Sequence, residues 1–223
     1  NFPYKNALTA VDLASGETVW TAKSAAGIDR VFFRGPPVRY RDHLYAAVRR
    51  NAAFGIARLD ASTGLIDKVV TIHEGGTDYL RVPGMAPVVI DNRLLYMSNA
   101  GAIASLSLPD LELRWLRAYE ERSPEEPARK VRRMSSGKRV FETDLTALPR
   151  GGISGWSTVA GDSIWAPFEG GAYRFRQEDG VLNGIVEYSK PALGAPDWSA
   201  LPQRLQFVGS ILLSVCESGI SAF

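Results

Sequence analysis

The sequence predicts an all-β fold of repeated four-stranded antiparallel blades, and three observations carry this prediction. Short apolar stretches with alternating polar residues recur between tight turns along the 223 residues, whereas helical periodicity is nowhere sustained. One hairpin pattern returns about every 48 residues. A second hairpin pattern precedes each later copy of the first. Four strands per period of this length are typical of a β-propeller blade, so we predict a propeller, or a segment of one, with about four blade equivalents.

The first pattern is an apolar strand, a polar turn and a second strand, which we assign to the outer half of a blade. Its full copies, which begin at residues 7, 55, 102 and 171, read ALTAVDLASGETVW, GIARLDASTGLIDK, AIASLSLPDLELRW and GAYRFRQEDGVLNG. A further copy begins as GISAF and stops at Phe223. The interval before the fourth copy is longer than the others by about 21 residues, which indicates an insertion.

The second pattern has two short apolar strands around a two- or three-residue polar turn and supplies the inner half of a blade. Its copies, which begin at residues 38, 88, 159 and 207, read VRYRDHLYAAV, VVIDNRLLYMS, VAGDSIWAPF and FVGSILLSVC. The chain therefore divides into an outer hairpin at 1–20, blades at 38–73, 87–118 and 156–188, an insertion at 119–155 and an incomplete blade at 204–223. Two arrangements fit: a closed four-bladed ring, in which the last strands and the first hairpin share one blade, or a segment of a larger propeller. A closed ring would contain one third strand twice, which favours the segment.

Several recurring residues have types that suit joints between blades. Glycine accepts the positive φ of a tight turn, aspartate accepts hydrogen bonds from turn amides, and tryptophan offers a large flat surface with one donor. Catalytic residues are seldom repeated once per blade. We therefore predict that the recurring residues are structural: Asp12, Gly16, Trp20, Asp60, Gly64, Trp115 and Gly180.

The first copy carries a pattern of Ala10, Asp12, Ser15, Gly16 and Trp20, which resembles the tryptophan-docking repeat of PQQ-like β-propellers. That family includes the quinoprotein alcohol dehydrogenases and the outer-membrane β-barrel assembly lipoprotein. The later copies keep parts of the pattern: Asp60, Thr63 and Gly64 in the second, with Lys68 in place of tryptophan, then Trp115 in the third and Gly180 in the fourth. The resemblance implies a bacterial protein in the periplasm or outside the cell.

The resemblance also raises an enzymatic alternative, part of a PQQ-dependent dehydrogenase. Such enzymes close eight blades around the quinone, bind calcium beside it and typically cover it with a disulfide between adjacent cysteines. This sequence has one cysteine, Cys216, and fewer blades, so we favour a protein without a cofactor and keep PQQ with calcium for the alternative only. No residue is assigned a catalytic role, and whether the protein is an enzyme stays open.

Binding residues are expected on the long connections between blades, because variable loops on a rigid scaffold commonly carry function. Arginine and aromatic residues, which are enriched at binding hot spots, occur in these connections. The candidates for partner contact are Arg30, Arg34, Tyr79, Arg81, Arg132, Arg133 and Trp198. Alternatively, these side chains cover the top of the ring or pack against a neighbouring blade.

Other functional classes find little support. The histidines, His43 and His73, have no metal-binding spacing with each other or with a cysteine, so no metal site is predicted. A net charge of +2 does not favour nucleic acid, and no apolar run reaches the length of a membrane span. The favoured function is a non-catalytic scaffold for a protein, peptide or glycan. A purely structural repeat, whose loops contact only other domains of the same polypeptide, remains an alternative.

Overall fold

The structure is a computed structural model that describes residues 6–51, 53–74, 86–98, 102–118, 156–168, 171–187, 204–216 and 219–222. Within these ranges the regular secondary structure consists of β-strands arranged in five sheets. Neighbouring strands in four of the sheets follow chain order throughout, as in a hairpin or meander. The predicted all-β propeller fold with four-stranded antiparallel blades is thereby confirmed.

We number the sheets as blades 1 to 5. Blade 1 is the hairpin of β1 (Thr9–Val11) and β2 (Thr18–Thr21). Blade 2 contains β3 (Lys23–Ser24), β4 (Val31–Phe33), β5 (Val38–Tyr40), β6 (His43–Arg50), β7 (Ala53–Asp60) and β8 (Leu65–Glu74). Blade 3 contains β9 (Val88–Ile90), β10 (Arg93–Ser98), β11 (Ala102–Ser107) and β12 (Glu112–Ala118). Blade 4 contains β13 (Thr158–Ala160), β14 (Ser163–Phe168), β15 (Gly171–Arg176) and β16 (Leu182–Glu187). Blade 5 contains β17 (Arg204–Val208), β18 (Ile211–Cys216) and β19 (Gly219–Ala222).

Blade 2 has two strands that the sequence pattern does not predict. On its inner edge, β4 pairs with the last residues of β6 while β5 pairs with the first, so two short strands share one edge of β6. The break between them contains Pro36 and Pro37, which lack the backbone N–H that a continuous ladder needs. On its outer edge, β3 pairs in parallel with β8. The sheet of blade 2 therefore also includes β3 and β4, which lie before the predicted range of 38–73.

Left-handed backbone conformations recur at fixed places in the blades. The turn between the two inner strands has a positive φ at Arg41, Asp91, Gly161 and Gly209. The turn between the two outer strands has one at Gly16, Gly64, Leu111 and Gly180. Such φ values are what a short hairpin connection requires. Both sets of turns therefore repeat in backbone geometry even where the residue type changes.

Apolar side chains fill the space between successive blades. One buried cluster joins blades 2 and 3, including Tyr45 and Leu94, and another joins blades 3 and 4, including Leu95 and Phe168. Smaller clusters join the segment around blade 1 to blade 2 and blade 4 to blade 5. Each blade is thus buried on the faces that meet a neighbour. The strand ends are left to form the two faces of the propeller.

Candidate binding face and blade joints

The antiparallel order of the strands gives the propeller two different faces. We call the face with the short turns inside each hairpin the turn face. We call the opposite face, which carries the β6–β7 connection and the links between blades, the loop face. The turn face holds the recurring aspartates and glycines, and the strands that precede and follow the longer connections end and begin at the loop face. Functional residues are sought on both.

At the joint between blades 1 and 2, an indole lies on a glycine of the next blade. Trp20 Nε1 donates a hydrogen bond to Ala61 O at 3.1 Å. The Trp20 ring covers Gly64 so closely that a Cβ there would lie 2.4 Å from Trp20 Cε3. Gly64 also has a φ of +71°, which disfavours other residues. Two independent constraints therefore favour glycine at this position.

The joint between blades 3 and 4 has the same construction. Trp115 Nε1 donates to Gln177 O at 3.2 Å. A Cβ at Gly180 would lie 2.5 Å from Trp115 Cζ3. Nearby, Arg117 Nε donates to Asp179 O at 2.9 Å. An indole on one blade thus docks on a tight turn of the next blade at two places in the chain.

Between blades 2 and 3 a polar joint takes the place of the indole. Lys68, at the position of Trp20, donates through Nζ to Asp110 O at 2.6 Å. Arg58 donates through Nη1 to Pro109 O at 3.2 Å and through Nη2 to Asp67 Oδ2 at 2.9 Å. The hydrogen bond to Asp67 raises the pKa of Arg58. Here the cationic side chains contact carbonyl oxygens of the next blade's turn.

The register explains which residues reach these joints. In each of blades 1 to 4, the two outer strands have a β-bulge directly after the residue pair that includes the Trp20 position of the repeat. The pairs are Ala10↔Trp20, Arg58↔Lys68, Ser105↔Trp115 and Arg174↔Gly184. The residue paired with each tryptophan is small, Ala10 or Ser105. The residue paired with Lys68 or Gly184, which stand at the tryptophan position, is an arginine. We infer that the arginine supplies contact area that the indole supplies elsewhere.

The aspartates of the turns accept local hydrogen bonds. Asp12 Oδ1 accepts from the backbone N–H groups of Ala14 at 2.9 Å and Ser15 at 2.8 Å. Asp60 Oδ1 accepts from Ser62 and Thr63 in the same manner. The bonds from Ser15, its backbone N–H first, hold the pKa of Asp12 below its usual range. The Ser62 and Thr63 hydroxyls also donate to Asp60 Oδ1, at 2.6 and 2.9 Å, and these side-chain bonds are the main cause that lowers the pKa of Asp60 to about 2. In the described residues these bonds lie within each turn, and the predicted structural role of Asp12 and Asp60 in joining blades stays a prediction.

On the loop face, a row of four side chains crosses blade 2. Phe32 lies opposite Arg49, Arg49 opposite Phe54, and Phe54 opposite His73. Directly opposed residues on antiparallel strands point to the same side of a sheet, so all four share one side. We call these residues the cross-strand row. Tyr45 and Ala47, which alternate with Arg49 along β6, pack against blade 3, so the row also lies on the side toward blade 3.

The end of the row at His73 is fixed by aromatic and polar contacts. Phe54 is buried and stacks on the His73 ring, with 5.4 Å between the ring centroids. His73 Nδ1 lies 2.9 Å from Glu74 O, and Nε2 lies 3.0 Å from Ser98 Oγ. If the neutral ring donates from Nδ1 to Glu74 O, its Nε2 accepts a hydrogen bond from the Ser98 hydroxyl. The contact joins blades 2 and 3 at the loop face.

Tyr96 and Ser98 continue this polar cluster into blade 3. Both are almost completely buried, and their side chains are hydrogen-bonded to each other. Burial raises the pKa of Tyr96 to about 12, so its hydroxyl stays neutral. A buried polar group is costly unless it is hydrogen-bonded. The hydrogen bonds among Tyr96, Ser98 and His73 therefore satisfy these groups and link blades 2 and 3 beside the cross-strand row.

The structure describes only two of the predicted partner-contact residues, Arg30 and Arg34. Arg34 is half-buried beside the cross-strand row, and Arg30 is exposed and pairs with Asp29 at 3.9 Å. The remaining predictions lie outside the described residues: Tyr79, Arg81, Arg132, Arg133 and Trp198. Their roles stay predictions.

Sequence reasoning missed Arg49, Phe54, His73, Tyr96 and Ser98 as site residues. The blade repeat placed the ends of β8 and β10 at the loop face of adjacent blades, which was a usable signal for His73 and Ser98. It did not specify that their side chains meet, because that depends on the rotation of one blade against the next. Arg49 and Phe54 lie on either side of the β6–β7 connection, which the pattern treated as part of a hairpin.

The described residues hold no group of three or more His, Cys, Asp or Glu side chains placed to bind a metal ion. No helix in the same ranges has the length and apolar character needed to cross a membrane.

Comparison with solved structures identifies the fold. BamB from Moraxella catarrhalis superposes with a TM-score of 0.56 at 18% identity, over 98% of this chain and 55% of that chain. The computationally designed Ika8 protein gives 0.55 at 9% identity, over 99% of this chain and 56% of that one. The designed Ika4 protein gives 0.51 at 9% identity, over 90% of this chain and 95% of that one.

These similarities establish fold and not activity, because all three identities are low. The chain spans about half the length of BamB and of Ika8. No family model matches the sequence. No curated protein matches it either. The chain therefore has the β-propeller fold shared with BamB, and its function is argued from the loop face.

Proposed function

We propose that the protein is a non-catalytic scaffold that binds a protein partner through its loop face. The cross-strand row carries the proposal, because it places an exposed aromatic side chain, Phe32, next to Arg49 on a rigid sheet. Aromatic and arginine side chains dominate binding energy at many protein interfaces. A propeller of packed blades suits a scaffold, because it holds the strand ends at the loop face in fixed positions. The proposal requires no cofactor.

The polar cluster beneath the row favours binding over catalysis. Ser98 and His73 have the contact of a nucleophile and its base, but Ser98 is only 1% exposed. A nucleophile must reach its substrate, and this hydroxyl already contacts both Tyr96 and His73. We therefore assign Ser98 and His73 to structural support of the face. Export from the cytoplasm, which the sequence resemblance implies, is part of the proposal.

A matched pair of photo-crosslinking positions on blade 2 tests the proposal. Phe32 lies at the loop face and is 45% exposed, and Leu65 lies at the turn face and is 42% exposed. Each is replaced in turn by the photoreactive residue benzoylphenylalanine in the protein as it is produced in its source cells. We expect Phe32 to yield one or a few discrete protein adducts after irradiation and Leu65 to yield none of them.

The adducts would then be identified by mass spectrometry and repeated with purified components. Adducts from Leu65 alone, or the same adducts from both positions, would contradict a partner site at the loop face. Absence of any protein adduct from Phe32 would also contradict it. The nearly equal exposure of the two positions ensures that the comparison reports location and not accessibility.

A further inference from the structure

The outer turn of blade 1 has the same backbone as the turns that receive an indole at the blade joints. Gly16 has a φ of +73°, against +71° for both Gly64 and Gly180. The N–H of Gly16 donates to Asp12 O at 2.8 Å, and that of Gly64 donates to Asp60 O at 2.9 Å. The turn of blade 1 is therefore shaped like one that already holds an indole.

Two of these three turns are covered by a tryptophan ring, and the third is open. A Cβ at Gly64 would lie 2.4 Å from the Trp20 ring. One at Gly180 would lie 2.5 Å from the Trp115 ring. A Cβ at Gly16 would meet nothing within 4 Å among the described residues. The surface on which an indole lies in blades 2 and 4 is therefore uncovered in blade 1.

The carbonyl that would accept from an indole lies at the same turn. Trp20 and Trp115 each donate to the residue three positions before the turn glycine. These acceptors are Ala61 O and Gln177 O. The corresponding residue of blade 1 is Leu13, which is fully exposed, whereas Gln177 at a covered turn is 6% exposed. The acceptor position and the open glycine thus lie together on the surface.

The strand that leads into this turn is uncovered on the same side. Val11 is paired with Thr18 directly after the β-bulge, as Leu59 is paired with Ile66 in blade 2. Leu59 is buried against the segment around blade 1, and Phe175 at the same position of blade 4 is buried against blade 3. Val11 is instead 49% exposed. The side of blade 1 that faces away from blade 2 therefore has room for a strand from a partner.

We propose that the outer turn of blade 1 binds a tryptophan side chain of a protein partner. The indole lies on Gly16 and donates its Nε1–H to Leu13 O, and the strand that carries it lies against Val11. Tryptophan combines a large flat ring with one donor, which is what both occupied turns receive. Tryptophan is also enriched among the residues that dominate interface energy.

The partner is a different protein and not a second copy of this chain. Trp20 and Trp115, which hold the docking position of the repeat, already lie on glycines of their own blades' neighbours. Lys68 and Gly184 hold the same position in the other two blades and have no indole. The site lies at the turn face, so the inference is independent of the function proposed for the loop face.

The direct test follows peptide binding to the full chain by the backbone N–H signals in nuclear magnetic resonance. The probe is the peptide ETVWTAK, which copies residues 17–23 of this chain, and ETVFTAK is its match. We expect millimolar ETVWTAK to shift the signals of residues 12–17. It should bind about tenfold more tightly than ETVFTAK, because phenylalanine keeps a ring but has no donor for Leu13 O. This comparison uses the unaltered protein and depends on no variant.

Three variants locate the site. Gly16→Ala is expected to weaken ETVWTAK about tenfold, because its Cβ would stand where the indole lies. Gly209→Ala is the matched control and should change nothing, since Gly209 also has a positive φ and an open Cβ position but lies in the inner turn of blade 5. Trp20→Ala uncovers Gly64, so the peptide should then also shift the signals of residues 60–65.

Several results would overturn the proposal. They are no shift at residues 12–17, equal binding of the two peptides, equal losses with Gly16→Ala and Gly209→Ala, or binding only at residues 60–65 of Trp20→Ala. N-acetyltryptophanamide that binds as tightly as ETVWTAK would mean a site for small indoles, and would also overturn it. So would a dimer in sedimentation that Gly16→Ala dissociates, because the occupant would then be a second copy. Absence of crosslinked adducts from position 32 would remove the loop-face function and leave this site standing.

Discussion

Replacing Gly64 by alanine is expected to destabilise the protein by about 3 kcal/mol, from left-handed backbone strain of about 1–2 kcal/mol plus overpacking of about 1–3 kcal/mol. The added Cβ would lie 2.4 Å from the Trp20 ring, so the indole has to move off the turn. Its hydrogen bond to Ala61 O would be lost with it. The free energy of unfolding from urea titration measures the effect.

Gly16 provides a matched control for this substitution. Its φ is +73°, against +71° for Gly64, but no atom among the described residues lies within 4 Å of its would-be Cβ. Gly16→Ala should therefore cost only the backbone strain, about 1–2 kcal/mol. Equal losses for the two variants would show that the Trp20 contact adds nothing and would contradict the proposed role of Gly64 in the joint.

Replacing Trp115 by alanine is expected to cost about 3 kcal/mol, at the lower end of values for buried aromatic residues because the indole is only partly buried. The substitution removes the ring that covers Gly180 and the donor to Gln177 O. Trp115→Phe keeps most of the ring and loses the donor, so a loss of about 1 kcal/mol is expected. Calorimetry of the purified chain measures both variants.

Trp156 is the control for the loss of an indole as such, because it is 42% exposed. Trp156→Ala should change the free energy of unfolding by about 1 kcal/mol or less, as is usual for exposed positions. If Trp156→Ala and Trp115→Ala cost the same, the Trp115 indole does not join blades 3 and 4 in the way that its contacts indicate.

The repeat made the architecture predictable from sequence. The alternation of apolar and polar residues predicts the strands, and the repeat of about 48 residues groups the strands into blades. The recurring glycines mark turns that require a positive φ. Leu111 shows where residue type fails as a guide, because it has a φ of +57° at the position that Gly16, Gly64 and Gly180 occupy elsewhere. Its side chain is buried in the core between blades 2 and 3, which explains an apolar residue at this turn.

The candidate site was less predictable because it depends on contacts between blades. The sequence directed attention to the connections between blades and to Arg34, and the roles of both stay predictions. It did not show that Phe32 joins Arg49, Phe54 and His73 in one row, because Phe32 is placed by a pairing between β4 and β6 that is seen in no other blade of the described residues. Nor could it show the contact from His73 to Ser98, which requires two blades in their final positions.

The most direct test of the central claim is hydrogen–deuterium exchange of the protein with and without the partner that Phe32 captures. We predict slower exchange on binding at the loop-face ends of blades 2 and 3, in residues 47–51, 72–74 and 96–98. We predict no change in the turns at 61–64, 108–111 and 177–180, which contact neighbouring blades. Protection confined to those turns, with none at the loop face, would contradict the division of the propeller into a face that binds and a face that joins its blades.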